Sequence, residues 1–500
     1  MHHSSLHPDN HTFPGLLKAC SRLLSLSKGR EIHGFVVKAG LDLDVYIQNS
    51  LIRMYGVMSQ LSDSRRLFDR MPQKDVATWN SILAAYFTSH SSQHEALVLF
   101  RGLVIDGLEI DEITLLVLLS ASLHLGRPGY GRTIHVYIVK KGFSHILKLN
   151  NALLGFYAKS GDADAAFGLF AEMGSKDVVS NTIVINLYAE LNLVDAAREI
   201  FDGIPSKDVV LWNSMIDGYV KVKRPEEALE LFQTMQMETV RPDEITVMSV
   251  LSACCSLYNL QFGKWVHQLI HQRNIRIDAF VGTALVDMYA KCGSLDDAVH
   301  TFHQMQYKDN FAWTAIIAGL ANYGLGKEAL SFFSQMQEEG IEPNEATFVA
   351  VLTACSHSGL IDEGCNWFDQ MVEVYKIAPK IEHLGCMIDL LSRAGLLCKA
   401  EVLIGMIKAE DRMIGYKILL SACIRDADIG VGEKVAKKLM ELEPQNQGVY
   451  VLLSNFYAFV GQWDNVAETR RIMKELNLNK VAGISFVEGK ASIAEDAKMS

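Results

Sequence analysis

A phenylalanine followed three residues later by methionine, leucine or isoleucine recurs throughout this chain. It stands at Phe68/Met71, Phe100/Leu103, Phe170/Met173, Phe201/Ile204, Phe232/Met235, Phe302/Met305, Phe333/Met336 and Phe368/Met371. Self-similarity at a fixed period constrains a fold more than any single motif. Each copy must be one supersecondary unit that buries its apolar face only against its neighbours. Two further elements keep the same beat. LLKACS at 16–21 returns as LLSASL at 118–123, VLSACC at 250–255 and VLTACS at 351–356. Trp-Asn-Ser stands at Trp79 and Trp212, with Trp313-Thr314 as its variant. Trp212 and Trp313 are 101 residues apart, and so are Ala253 and Ala354, so two unrelated anchors share one longer period.

Each unit contains two helical patterns. In residues 209–243, Trp212, Met215, Ile216 and Tyr219 make one apolar stripe, and Leu229, Phe232 and Met235 make the next. Arg241-Pro242-Asp243 then closes the hairpin. The expected fold is all-α, a solenoid of stacked antiparallel helix hairpins. The spacing divides the chain into about twelve units of 31–36 residues over 10–412: 10–44, 45–75, 76–111, 112–146, 147–177, 178–208, 209–243, 244–278, 279–309, 310–344, 345–380 and 381–412. The long units are those at 10, 112, 244 and 345.

Composition narrows the function. A chain of 500 residues with 49% apolar and 21% charged residues is an ordinary folded one. Its apolar runs are too short to span a bilayer. Nine cysteines without a C-x-x-C pair suit free thiols in a reducing compartment. The formal charge of −11 counts against indiscriminate binding to phosphate backbones. If the ligand is nucleic acid, base contacts and a local basic stripe must carry the recognition. The opening MHHSSLHPDNHTFPG has neither the apolar core of a secretion signal nor the Arg-rich pattern of a transit peptide.

Units of 31, 35 and 36 residues closing in Pro-Asp, Lys-Asp or a near variant resemble the pentatricopeptide repeat (PPR) family. The alternation of lengths resembles its plant PLS subclass, and the resemblance implies a right-handed superhelical solenoid of stacked antiparallel helix hairpins. Residues 413–481, with LLSACI at 419–424, KKLMELEP at 437–444 and YVLLSNFYAFVGQW at 450–463, resemble the family's E region, two further repeat-like hairpins. Residues 482–500 then form a C-terminal tail. Leu6-His7-Pro8-Asp9 resembles the end of a preceding unit, so 1–9 reads as a remnant of one or as a short N-terminal tail, and on the first reading a leader and further units are expected upstream.

The resemblance implies single-stranded organellar RNA as ligand, with the fifth and last residues of ordinary and short units reading one base each. The pairs are Asn49/Asp75, Asn80/Asp111, Asn151/Asp177, Thr182/Asp208, Asn213/Asp243, Thr283/Asp309 and Thr314/Asn344. Short amides and hydroxyls suit the donors and acceptors of a base edge. In this family Asn with Asp implies U, Thr with Asp implies G, and Thr with Asn implies A. The implied site is 5′-nUUnUGUnGAnn-3′, N-terminal unit toward the 5′ end. Asn181 stands where its neighbours carry an aromatic residue, so Thr182 is the reader only without a one-residue slip. Gly385 with Arg412 gives no base, and the long units place Pro14, Leu116, Met248 and Val349 in the reading slot.

Other residues admit blander readings. An Asn or Thr near a helix start is often only a cap, and a single pair is even odds; seven in one register shift the balance toward reading. His33, His135 and His267 share the pattern G-x-x-[IV]-H, but equivalent slots of stacked units are spread along an array, which points to packing rather than a metal. Lys159, Lys221, Lys291 and Arg393 all fall at position thirteen of their units. They read equally as helix C-terminal charges or as phosphate contacts.

No P-loop, G-x-S-x-G, H-E-x-x-H or zinc-deaminase H-x-E with C-x-x-C occurs, so no enzyme and no cofactor is expected. The resemblance implies a site-recognition factor for C-to-U editing in mitochondria, or alternatively plastids. The deaminase would be supplied by a deaminase-bearing PPR protein or other editing factors docked through the E region. No membrane or small-molecule partner is implied. A splicing, stability or processing factor is the alternative within RNA biology, and a protein-interaction scaffold is the alternative outside it.

Overall fold

A computed structural model describes residues 11–88, 105–124, 128–407, 412–426, 429–442 and 444–476, together with 95, 98, 99, 102 and 103. The remnant at 1–9, the tail at 482–500, residues 477–481 of the E-like region and Phe100 lie outside the described residues. The described chain is an all-α repeat array: every regular element in it is helical. It forms two compact units, Met1–Ser249 and Val250–Ser500.

Within each unit the helices follow one another as hairpins. A hairpin's first helix packs on its own second helix and on the first helix of the next hairpin. The first helices are mostly of one length: Val45–Val57, Leu147–Lys159, Val178–Glu190, Val209–Lys221, Ala279–Lys291 and Asn310–Asn322 each have 13 residues. The unequal repeat lengths arise mainly in the second helix. It has 10 residues in Leu61–Arg70, Ala163–Glu172 and Leu295–Gln304, but 13 in Leu26–Lys38, Pro225–Met237, Leu260–Gln272 and Gly326–Glu338. The difference is close to one helical turn, so a short repeat loses a turn without rotating its buried face.

Two local devices start and turn each hairpin. Asp44, Asp75, Asp111, Asp177, Asp208, Asp243, Asp278, Asp309 and Asn344 each accept the backbone N–H three residues on, capping the next first helix. Fourteen residues after the first-helix start comes a left-handed residue that turns the chain into the second helix. Glycine fills this slot at Gly161, Gly293 and Gly324, while Ser59, Asn192 and Lys223 tolerate it elsewhere.

No hairpin has a core of its own. One apolar cluster draws Ile52 and Phe68 from one hairpin, Trp79 and Leu83 from the next, and Leu118 from the third. The Trp slot shows how neighbours lock. Phe68 meets Trp79 edge-on, as Phe201 meets Trp212 and Phe302 meets Trp313, with ring centroids 4.7–4.9 Å apart. Over each phenylalanine lies the Lys of the closing Lys-Asp: Lys74, Lys207 or Lys308. These ammonium groups also donate to the carbonyls of Met71, Ile204 and Met305 at the second helix's end.

Candidate nucleic-acid interface

The closing Asp or Asn of one hairpin caps the helix that follows, and that helix packs on the first helix of the hairpin being closed. The geometry therefore carries the closing side chain back to the fifth residue of its own hairpin. Asn80 Nδ2 donates to Asp111 Oδ1 at 3.1 Å, Asn213 Nδ2 to Asp243 Oδ1 at 2.9 Å, and Asn151 Nδ2 to both oxygens of Asp177 at 3.0 Å. Asn49 interacts likewise with Asp75. These aspartates thus do two structural things at once: each caps the following helix and each faces the fifth-residue Asn of the hairpin it closes.

The threonines behave differently. Thr182 and Thr283 occupy the same slot but leave their hydroxyls buried and unbonded, so no hydrogen bond joins them to Asp208 or Asp309. Thr314 reaches Asn344 only through Thr347, whose Oγ1 is 2.8 Å from Thr314 Oγ1 and 3.1 Å from Asn344 Oδ1. Asn181 is buried, and its Nδ2 donates to the Asp177 carbonyl at 2.9 Å. Its helix begins at Val178 under the same Asp cap as its neighbours, which leaves Thr182 fifth in that helix. Arg412 turns its guanidinium onto the carbonyls of Ile407 and Gly405, away from a reading role.

Two of the closing carboxylates, Asp75 and Asp177, are held toward the ionised form. Burial pushes the Asp75 carboxyl up. Hydrogen bonds from the Thr78 hydroxyl and amide and from Asn49 outweigh it and hold the group below the usual carboxylate range. Asp177 is held down in the same way, burial being overcome by Ser180 and Asn151. An ionised Asp orients the facing amide, NH2 toward the carboxylate.

Three of the four position-thirteen cations are already neutralised. Lys221, Lys291 and Arg393 each form a 2.7 Å ion pair with the aspartate four residues earlier, Asp217, Asp287 and Asp389. Burial alone would lower the Lys291 pKa, but Asp287 raises it. A phosphate at these sites must compete with a carboxylate. Lys159 has Gly155 in place of that aspartate, is exposed, and has no ion pair among the described residues.

Sequence reasoning missed a second row beside the first. The second residue of seven first helices is a large apolar side chain yet exposed: Tyr46, Ile113, Val179, Val210, Ile245, Phe280 and Phe311; the slot holds Ala77 in Val76–Thr88 and Lys148 in Leu147–Lys159. A groove of about 420 Å3 joins the two rows. It is lined by Val210 and Ile245 with Asn213, Asp243, Asp217 and Lys221 among others. A hydrogen-bonding pair at the floor with an apolar wall on either side suits a flat heterocycle, which stacks by its faces and is read by its edge. The signal was available: an apolar residue three before every reader but Asn151, which has Lys148 there, is out of phase with the buried stripe of its helix.

His33, His135 and His267 are packing residues. Each places Nδ1 2.8–2.9 Å from the hydroxyl of the tyrosine 22 residues on, Tyr55, Tyr157 and Tyr289. Among the described residues no group of His, Cys, Asp and Glu side chains could hold a metal ion, and no helix is long and apolar enough to cross a membrane.

Comparisons with known proteins point one way. The PPR repeat model matches residues 49–76, 151–178, 283–310 and 346–374; the PPR repeat family model matches 207–256 and 308–357; the E motif model matches 426–488. A mitochondrial pentatricopeptide repeat-containing protein of Arabidopsis thaliana is 38% identical over 488 residues, covering 98% of this chain and 72% of the relative. A putative pentatricopeptide repeat-containing protein of the same plant is 42% identical over 485 residues, covering 96% and 70%. A chloroplastic one is 35% identical over 514 residues, covering 96% and 65%. Among solved structures, the maize pentatricopeptide repeat protein PPR10 in complex with an 18-nt psaJ RNA element is similar at TM-score 0.42 and 16% identity. That match covers 94% of this chain and 80% of that one.

Proposed function

This chain belongs to the pentatricopeptide repeat family, and from that premise we propose that it binds single-stranded RNA, one nucleotide to a hairpin, as the site-recognition factor for C-to-U editing of organellar transcripts. The deaminase is supplied by a second protein through the E region, and the chain itself is not an enzyme. Mitochondria are the compartment, with plastids the alternative; relatives of both kinds are found.

One observation carries the reading. Ten buried side-chain nitrogen and oxygen atoms lack a partner among the described residues, and four sit in the reading slot: Asn49 Oδ1, Asn151 Oδ1, Thr182 Oγ1 and Thr283 Oγ1. Leaving a buried polar group unsatisfied costs about 1–3 kcal/mol, so such groups are rare unless something meets them. Three others are the indole nitrogens of Trp79, Trp212 and Trp313, whose rings meet phenylalanine. The four slot residues are only half-buried, so a small turn of the side chain brings the orphaned atom to a base edge. The net charge of −11 fits a binder that relies on such edges more than on phosphates.

The test is equilibrium binding to RNAs built on 5′-nUUnUGUnGAnn-3′. Wild type should prefer A at the tenth position, opposite Thr314/Asn344, and Asn344→Asp should prefer G there. The mismatch should cost on the order of 1–3 kcal/mol, roughly tenfold to a hundredfold in affinity, by analogy with DNA sites. Equal binding to a scrambled RNA overturns the proposal. Loss of the protein in the plant should abolish editing at a site whose upstream sequence fits this pattern. Intact editing with defective splicing would move the function to RNA processing.

A further inference from the structure

We propose that Thr114, Thr246 and Thr347, each the third residue of a long hairpin, are positioning residues that latch the base reader of the hairpin before them. The inference rests on the base-reading proposal and adds a third member to three of its seven pairs.

The latch is a closed ring at Asn213. Its Nδ2 donates to Asp243 Oδ1 at 2.9 Å, and its Oδ1 accepts from Thr246 Oγ1 at 2.6 Å. Thr246 Oγ1 in turn accepts the Asp243 N–H at 3.1 Å. Asn80 is held at the same two ends, Nδ2 to Asp111 Oδ1 at 3.1 Å and Thr114 Oγ1 to its Oδ1 at 2.7 Å, with Thr114 Oγ1 also 2.7 Å from Asp111 Oδ1. In the third case the reader is Thr314, and the Thr347 hydroxyl lies 2.8 Å from its hydroxyl, 3.1 Å from Asn344 Oδ1 and 3.2 Å from Asn310 Oδ1. All three latch threonines are fully buried.

The other four readers lack this hold. Thr78 directs its hydroxyl to Asp75, as Thr114 and Thr246 also do to Asp111 and Asp243, but leaves Asn49 Oδ1 without a partner, and Ser180 turns its own to the Asp177 backbone carbonyl. Leu211 and Ala312, third residues of the helices after Thr182 and Thr283, have no hydroxyl. The four readers that precede these residues are the four with orphaned atoms. Latched and open readers thus sort with the length of the hairpin: the reader and the third residue of the next hairpin lie 33 or 34 residues apart in the three latched cases and 29 in the four open ones.

The consequence is chemical. An open Asn is tied to its carboxylate by the NH2 alone, so its carbonyl can swing to suit a second base. A latched Asn is tied at both ends and offers one fixed N–H and one fixed lone pair. Holding a reader in its binding geometry lowers the ordering cost for the matching base and removes the adjustment a wrong base needs. Latched slots therefore discriminate more sharply than open slots with the same Asn/Asp pair.

The test compares Asn213, latched and opposite the seventh nucleotide, with Asn151, open and opposite the fifth, in one RNA. Binding of the full chain is measured by fluorescence anisotropy, with U or C placed at each position in turn. Wild type should show the larger U-over-C ratio at the seventh. Thr246→Val should lower that ratio by roughly threefold to tenfold, the worth of one hydrogen bond. The ratio at the fifth should stay as it was, and Thr246→Ser should restore the seventh. A merely structural threonine predicts equal weakening for every RNA; that result, or an unchanged ratio at the seventh, overturns the latch while base reading stands. A flat wild-type response at both positions overturns base reading and the latch together. Thr347→Val, read as A against G at the tenth position, supplies the same decision should Thr246→Val fail to fold.

Discussion

The second helices of the long hairpins at 10–44, 112–146 and 244–278 grip the next hairpin with polar side chains, whereas the second helix at 345–380 uses apolar ones. The second helix of each of the first three carries Gly, then Arg or Lys, then His. Arg30 pairs with Asp63 at 3.3 Å, Arg132 with Asp162 at 2.6 Å and Lys264 with Asp297 at 2.8 Å, beside the three His–Tyr contacts. At 345–380 the same slots hold Cys365 and Phe368, which pack against a cluster of Leu352, Cys355, Met387 and Leu390. The glycine is common to all four. A Cβ on Gly29, Gly131, Gly263 or Gly364 would come within 2.5 Å of Met54, Phe156, Met288 or Leu390. Gly432, in the E-like region, approaches Phe456 in the same way. The difference teaches that close approach of the helices is the fixed requirement, and that either polar or apolar side chains can finish the seam.

The largest effect should come from breaking the shared part. Gly131→Ala sets a methyl 2.1 Å from the Phe156 ring, and a ring cannot bend away. Overpacking should cost about 1–3 kcal/mol in urea melts. Gly263→Ala should cost less, because Met288 is flexible. Equal losses in the two variants would contradict a seam set by steric approach.

A middle-sized effect should appear with pH. Burial first, against nearby carboxylates, holds the His33 and His135 pKa values below the ordinary one. Burial together with His271 and His300 does so for His267, against Asp297. A base with a lowered folded pKa takes up fewer protons folded than unfolded. The stability it allows is therefore present above the unfolded value near 6.5 and is lost as pH falls through the folded value. Thermal melting of the wild type should fall between about pH 7 and pH 5. Replacing all three histidines with phenylalanine, the residue that Phe368 already supplies at 345–380, should flatten that fall. An unchanged slope would place the acid sensitivity elsewhere.

The smallest effect belongs to the ion pairs. Lys264 and Asp297 are 48% and 41% exposed, so Lys264→Ala should cost about 0–1 kcal/mol, and less at high salt. A larger, salt-independent loss would show that the polar seam is more than a surface finish.

Much of the architecture was legible because it is written in local periodicities. The Phe-x-x-Met beat marks second helices, and the closing Asp caps by a contact three residues long. The fifth-residue Asn and Thr side chains fall in the first turns of the first helices for the same reason. The histidine triplet was assigned correctly to packing, since equal slots of a repeat cannot converge. The phosphate row was harder: Asp217, Asp287 and Asp389 sit four residues before their cations, and that spacing pairs charges on a helix. The exposed Val210, Ile245, Phe280 and Phe311 were passed over because apolar residues near a helix start are usually buried.

The sequence by itself determined the helices, their caps, the turn slot and the nearest-neighbour order of hairpins, because each of these depends on contacts within a few residues. Only the tertiary structure decided which polar atoms in the reading slots are left without a partner and which are latched by Thr114, Thr246 or Thr347. Those bonds join side chains some 30 residues apart across a helix-to-helix seam. A difference of a few ångströms in how two hairpins meet makes or leaves each one, and no local pattern encodes that distance.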